Sequence, residues 1–307
     1  MNTSPKQVFI IDNFLKIRLV AFAIFFIPLL YSSQTAQRFY YELTYRPNKT
    51  ADLKEKITTI LDVAKEKSVY RDYTVMSQDS ILQSEVEKMK KSGVYVPMEK
   101  MIKMPKFSYR IYKFYQDNTI GYVDGIEKSL YGYKEKINLP WEVANDKSVI
   151  EGYNCQKASV KFGGRVWSAW FTQDLPFQEG PYKFYGLPGM IVKIEDSEQD
   201  YVWILKGNKK MDNYNEFSFT DNLYYRGNFN VIYINKNKFE KTYNEYKKDP
   251  LAAMKGQVKP EMLTQKMPGS EVTYGQMFEN QNKLLKNILN SNTNPIELNQ
   301  NISQKKK

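Results

Sequence analysis

The stretch Gly180–Asp196, GPYKFYGLPGMIVKIED, sets the reading of the whole chain. Gly180, Pro181, Gly186, Pro188 and Gly189 force a particular backbone path, because glycine reaches φ values closed to other residues and proline fixes its own. The apolar run that follows, with Met190, Val192 and Ile194 on one side, has the length and composition of a buried strand. No nucleophile, metal-ligand cluster or phosphate loop accompanies it. The stretch therefore reads as a corner that determines the fold, with a ligand clamp as the alternative.

Working outward, the segment just before it gives the clearest hairpin. Asn154–Phe162 and Arg165–Thr172 flank Gly163–Gly164, a two-residue loop suited to a type I′ turn. That turn pairs Phe162 with Arg165, Val160 with Trp167, Ala158 with Ala169 and Gln156 with Phe171, which gathers an apolar set on one face. Cys155 faces the opposite side and reads as a small packed residue, since only Lys157 lies near enough to lower its pKa. Downstream, Met190–Asp196 and Tyr201–Lys206 form another hairpin about Ser197–Gln199, and Phe229–Ile234 adds a last strand.

Upstream, Arg38–Arg46 alternates as a strand with both faces partly covered. Glu55–Val63 and Lys67–Val75 read as a second hairpin, the first of them also tolerable as a short helix. Phe107–Tyr115, Thr119–Ile126 and Lys128–Ile137 are three tyrosine-rich antiparallel strands. Ser77–Ser92 carries an apolar stripe of Ile81, Leu82, Val86 and Met89, with capping-box spacing between Ser80 and Gln83 and Gly93 beyond its last turn. A second amphipathic helix holds Phe239, Tyr243 and Tyr246 within a lysine-rich surface and ends at Asp249–Pro250. Gln276–Asn290 fits a further helix, and Ser291–Lys307 shows no core pattern and reads as disordered.

Composition agrees with a β-rich body. The chain of 307 residues is 42% apolar, with 24 Tyr, 17 Phe and 4 Trp, and flat side chains suit a pleated, half-buried surface. The expected fold is α+β and β-dominated: a curved antiparallel sheet with two or three helices, running from about residue 37 to 250. A half-open sheet, or half-barrel, around apolar side chains would resemble periplasmic lipoprotein carriers by analogy of pattern alone, and the sequence leaves closure undecided.

Leu19–Tyr31 is a run of thirteen apolar residues preceded by Lys16 and Arg18 and followed by small polar residues. Thirteen residues are too few for a roughly 30 Å hydrocarbon layer and match the apolar region of a signal peptide. A core helix and an uncleaved anchor are the rival readings. The expected organisation is thus a leader over 1–36, a β-rich domain over 37–250 and an extension over 251–307. The expected location is the periplasm, the outer membrane or the medium, with no transmembrane anchor after cleavage.

The net charge is +11, of which about +9 remains beyond residue 36, and it is spread along the body. Such charge marks a solvated surface with some affinity for an anionic ligand such as a membrane or polysaccharide, and for an exported protein nucleic acid is not an expected partner. With no histidine and a single cysteine, zinc, copper and haem sites are not expected; no metal or other cofactor is assigned. Asp174, Glu179, Glu195 and Asp196 cluster in sequence and offer the one route to a histidine-free hydrolase. The leading function is a non-enzymatic envelope protein that binds a partner or an apolar ligand. If a site lies beside the central loop, Arg165 offers a fork for carboxylate or phosphate, Trp167 and Trp170 offer stacking faces, and Lys183 adds charge.

The residues Cys155-x-Lys157-Ala158, Gly164-Arg165-x-Trp167-x-Ala169-Trp170-Phe171-Thr172, Pro176, Gly180-Pro181-x-x-Phe184 and Gly186-Leu187-Pro188-Gly189-Met190-Ile191 together closely resemble the GLPGLI family. Met190 stands in place of the usual leucine, a change that conserves volume. Asn294-Pro295-Ile296-Glu297-Leu298 resembles the family too. The resemblance implies an exported protein of Bacteroidota, often encoded near outer-membrane transport genes, whose function is not established. It carries no catalytic residues.

Overall fold

Both glycines of the two-residue loop hold positive φ, +61° at Gly163 and +79° at Gly164, and the register they impose is the expected one. Phe162 faces Arg165, Val160 faces Trp167, Ala158 faces Ala169 and Gln156 faces Phe171. In the computed structural model, which describes residues 34–94, 96 and 101–298, these two strands belong to a single sheet of twelve. The expected leader over 1–36 falls almost wholly outside the described residues.

The strands, in chain order, are β1 Ala36–Tyr45, β2 Glu55–Ala64, β3 Lys67–Asp72, β4 Arg110–Phe114, β5 Thr119–Ile126, β6 Ser129–Glu135, β7 Glu142–Ile150, β8 Tyr153–Phe162, β9 Arg165–Thr172, β10 Met190–Asp196, β11 Tyr201–Met211 and β12 Val231–Tyr233. The helices are α1 Asp79–Ser92, α2 Phe219–Tyr225, α3 Lys236–Lys248, α4 Ala252–Lys255, α5 Pro260–Leu263 and α6 Tyr274–Asn290. The sheet runs β12-β6-β5-β4-β3-β2-β1-β11-β10-β9-β8-β7. It is curved and open, so closure is settled: β12 and β7 are its two edges.

The expected α+β, β-dominated class holds, with two corrections. The sheet is mixed, because β12 lies parallel to β6 while every other pairing is antiparallel. Six helices are described instead of two or three. The additional ones are short: α2, α4 and α5 are too brief to show a helical period in sequence. β7 was also unreadable, since an edge strand mostly exposed along its length carries no apolar alternation.

Of the expected α1 stripe, Leu82 and Val86 are buried and Met89 packs partly buried against them, whereas Ile81 points to solvent, 51% exposed. The expected capping box does not form. Gln78 occupies the N-cap without a side-chain bond, and Asp79 instead accepts from the Phe219 and Thr220 amides, capping the first turn of α2. The helix expected near residue 276 begins at Tyr274, where Thr273 and Gln276 make the reciprocal capping box.

The central loop lies inside the fold. Tyr182, Phe184 and Leu187 are buried among side chains of the inner sheet face, with Phe184 4.8 Å from the Trp167 ring centroid. Lys113 of β4 ties the loop down: its ammonium donates to Glu179 Oε2 at 2.7 Å, Gly180 O at 2.6 Å and Phe184 O at 3.0 Å. Gly189 has φ +148°, and a Cβ there would stand 2.0 Å from the Thr172 carbonyl oxygen. The loop thus leads the chain into β10 with its backbone pressed against the end of β9.

Part of the expected disordered tail is ordered. Asn294, Ile296 and Glu297 are buried, and Leu298 N donates to Gly163 O at 2.7 Å. The burial is bought by polar contacts, which apolar periodicity cannot reveal. Residues 299–307 lie outside the described residues.

Candidate functional site

Arg165 shows how the sheet and tail are joined. Its Nη1 donates to Asp196 Oδ2 at 2.7 Å and Asp200 Oδ2 at 3.0 Å, and its Nη2 donates to Asn294 Oδ1 at 2.7 Å and Pro295 O at 3.0 Å. Nε donates to Ile296 O. A fork so engaged has no donor left for a ligand. Trp167 is fully buried in the core. Trp170, three residues on, points to the other face, where the Lys157 ammonium lies 5.8 Å from its ring.

Lys183 is also interior. Its ammonium contacts Glu135 at 2.5 Å and Glu297 at 2.6 Å, and the rings of Tyr122, Tyr133 and Tyr182 surround it at 5.6–5.8 Å. The four residues singled out beside the loop are therefore not gathered into one site. The four carboxylates are dispersed as well: Glu179 pairs with Lys113, Asp196 with Arg165 and Glu195 with Lys193, while Asp174 is exposed. None of them lines a cavity described below. Cys155 is buried, and burial pushes its thiol up to about 11, so it is an inert packed residue.

Open space lies instead at the rim of β3–β6, under the C-terminal helices. The larger cavity has a volume of about 610 Å³. Val75, Ile102, Met104, Leu251, Met254, Leu284 and Leu285 give it an apolar lining, and Arg71, Asp72, Arg110 and Asp221 stand in its wall. A second cavity of about 430 Å³ is formed by Tyr109, Tyr122, Tyr133, Tyr182, residues of α3 and the tail from Asn292 to Glu297. Phe107, Ser108 and Tyr109 line both, and α6 runs past both, with Leu284 and Leu285 on one and Ile288 and Leu289 on the other.

The polar groups here are perturbed by burial. Ser108, itself exposed, donates from Oγ to Asp124 Oδ2 at 3.1 Å. Behind it, burial pushes the Asp124 carboxyl up to about 6, against hydrogen bonds from Tyr243, Ser108 and the Gly125 amide that favour its charged form. Burial also lowers Lys247, at the same end of α3. The Tyr109 hydroxyl is buried without a hydrogen-bond partner. Among the described residues no group of three or more Cys, Asp or Glu could hold a metal ion, and no helix is long and apolar enough to cross a membrane.

The apolar stripe of α6 is visible in the sequence without a role attached to it. Arg71 and Arg110 carry the one local signal for this region, since a charged residue inside an apolar strand marks a paired, buried group.

A family model described as "Protein of unknown function (Porph_ging)" matches residues 162–193. The match covers the glycine turn, β9, the central loop and the start of β10. No curated protein matches. Two solved structures of PNGF-II are similar: one in space group C2, with TM-score 0.46, 14% identity and coverage of 68% of this chain and 32% of that one, and one in P21, with TM-score 0.44, 15% identity and coverage of 68% and 33%. The chain spans about a third of the length of these structures. Residues 162–193 are thus the part of the chain that matches a family of unknown function.

Proposed function

We propose that the protein is a cell-envelope protein of the GLPGLI type, exported through its N-terminal apolar run, that binds an apolar ligand without transforming it. The observation that carries this reading is the cavity of about 610 Å³ with its lining of Val75, Ile102, Met104, Leu251, Leu284 and Leu285. Its size lies within the roughly 300–1,000 Å³ of small-molecule sites, which are mostly apolar with a few polar groups in the wall. A link to outer-membrane transport components rests on the family resemblance. The hydrolase alternative gains nothing from Asp174, Glu179, Glu195 and Asp196, since three are paired and none faces either cavity.

The test is titration with a polarity-sensitive apolar fluorophore. The wild-type chain should bind about one equivalent with a blue-shifted emission, and Leu285→Trp, which fills the half-buried α6 side of the cavity, should abolish binding while leaving the melting temperature within a few degrees. Equal binding by both proteins would place the fluorophore elsewhere and remove the proposal.

A further inference from the structure

Resting on this reading of the larger cavity, the charged groups in its wall bear on what the ligand carries at one end. Arg38, Arg71, Arg110 and Asp62, all buried, form an ion network with the half-buried Asp221 on the outer face of the sheet. Three guanidinium groups meet two carboxylates in it. Arg38 takes Asp62 with two bonds, Nε–Oδ1 at 2.6 Å and Nη2–Oδ2 at 2.9 Å, and Arg110 takes Asp221. Arg71 is left with the remainder: Asp62 Oδ2 at 3.4 Å and Asp221 Oδ2 at 3.7 Å. Its Nε is buried and has no acceptor.

Neighbouring carboxylates do not make good the deficit. Asp72 is occupied by the amides of Thr74, Lys106 and Phe107. Glu216 is held by Lys67 and the Tyr112 hydroxyl. Asp221 also accepts from the Ser218 amide. Arg71 is 5% exposed and forms part of the cavity wall. A guanidinium that is buried with long contacts and an idle donor is costly, and an oxyanion brought beside it would supply the missing acceptor. Around the whole cavity four basic side chains, Arg71, Arg110, Lys128 and Arg226, stand against three acidic ones, Asp72, Glu127 and Asp221, a small excess that favours approach of an anion.

We infer that the cavity binds a single-chain anionic amphiphile, its alkyl chain among Ile102, Met104, Leu284 and Leu285 and its carboxylate or phosphate head on the Arg71 guanidinium. A planar fork takes either head through paired hydrogen bonds.

The experiment is calorimetric titration of the whole chain at pH 8 with dodecanoate, dodecyl phosphate and 1-dodecanol, which share one alkyl chain. The wild type should bind at least one of the anions about tenfold or more tightly than the alcohol, as charge-assisted bonds allow; the tighter anion identifies the head. Arg71→Met should keep the affinity for dodecanol and lose the preference. Equal affinity for all three in the wild type would overturn the head assignment while leaving the apolar site standing, and no wild-type change of fold complicates that comparison. A preference that survives in a folded Arg71→Met protein would overturn it too. Failure of all three to bind would remove the apolar site itself, and this inference with it.

Discussion

Replacing Gly189 by alanine tests the role of the central loop most sharply. The residue holds φ +148°, a conformation that costs a residue with a Cβ about 1–3 kcal/mol. An added Cβ would also stand 2.0 Å from Thr172 O and 2.6 Å from Thr172 C, far inside contact distance, and the atoms in the way are backbone. Thr172 must move by about 1 Å. It pairs with Met190 at the start of the β9–β10 register, so the shift puts that pairing at risk, at about 0.5–1.5 kcal/mol per hydrogen bond. With one such bond lost, the sum is roughly 1.5–4.5 kcal/mol of a stability of roughly 5–15 kcal/mol. For a chain of this size, that is a fall in Tm of roughly 10 °C. Gly186→Ala is the internal control: its φ is +89°, but nothing lies within 4 Å of the added Cβ, so only the strain of about 1–3 kcal/mol applies. Thermal unfolding followed by circular dichroism compares the two. If Gly189→Ala melts at or above Gly186→Ala, the loop does not set the β9–β10 junction.

Two further substitutions read other parts of the account. Arg165→Met strips Asp196 and Asp200 of their shared guanidinium and releases the tail at Asn294, Pro295 and Ile296; breaking such a buried pair should cost about 3–5 kcal/mol in denaturant unfolding. Hydrogen exchange across Asn292–Leu298 should rise in step. Asp124 titrates at about 6 in the fold against 3.8 as the ordinary value. Because the folded value is the higher one, this carboxyl's contribution to stability is present below pH 3.8 and lost as pH rises through about 6, a change on the order of 3 kcal/mol. Asp124→Asn should therefore flatten the stability profile between about pH 4 and 6, and a variant that keeps the wild-type slope there would show that Asp124 is not the titrating group.

How much of this was legible in sequence follows from which interactions carry a period. The β8–β9 register was readable to the residue because Gly163–Gly164 fixes the turn and the apolar alternation has one solution. The central loop was readable as a corner because glycine and proline restrict the backbone locally. Arg165 and Lys183 were readable as charges near the loop but not as interior ones, since their partners Asp200, Asn294 and Glu135 lie 35, 129 and 48 residues away. The same distance in sequence hid the cavity. It is assembled from the 101–110 segment, α2, α4 and α6, whose apolar residues look unremarkable in isolation. The parallel β12 is three residues long, so its direction was set by the chain's path into α3 and not by any pattern of its own.

The claim that the protein holds an apolar ligand at the rim of β3–β6 is tested most directly by methyl NMR of the whole chain during addition of 1-dodecanol. The account predicts saturable shifts at the methyls of Val75, Ile102, Met104, Leu251, Leu284 and Leu285, with the exposed Val143 and Val149 on the far edge strand unmoved. Shifts at Val143 and Val149 with the rim methyls silent, or no saturable shift at any methyl, would contradict it.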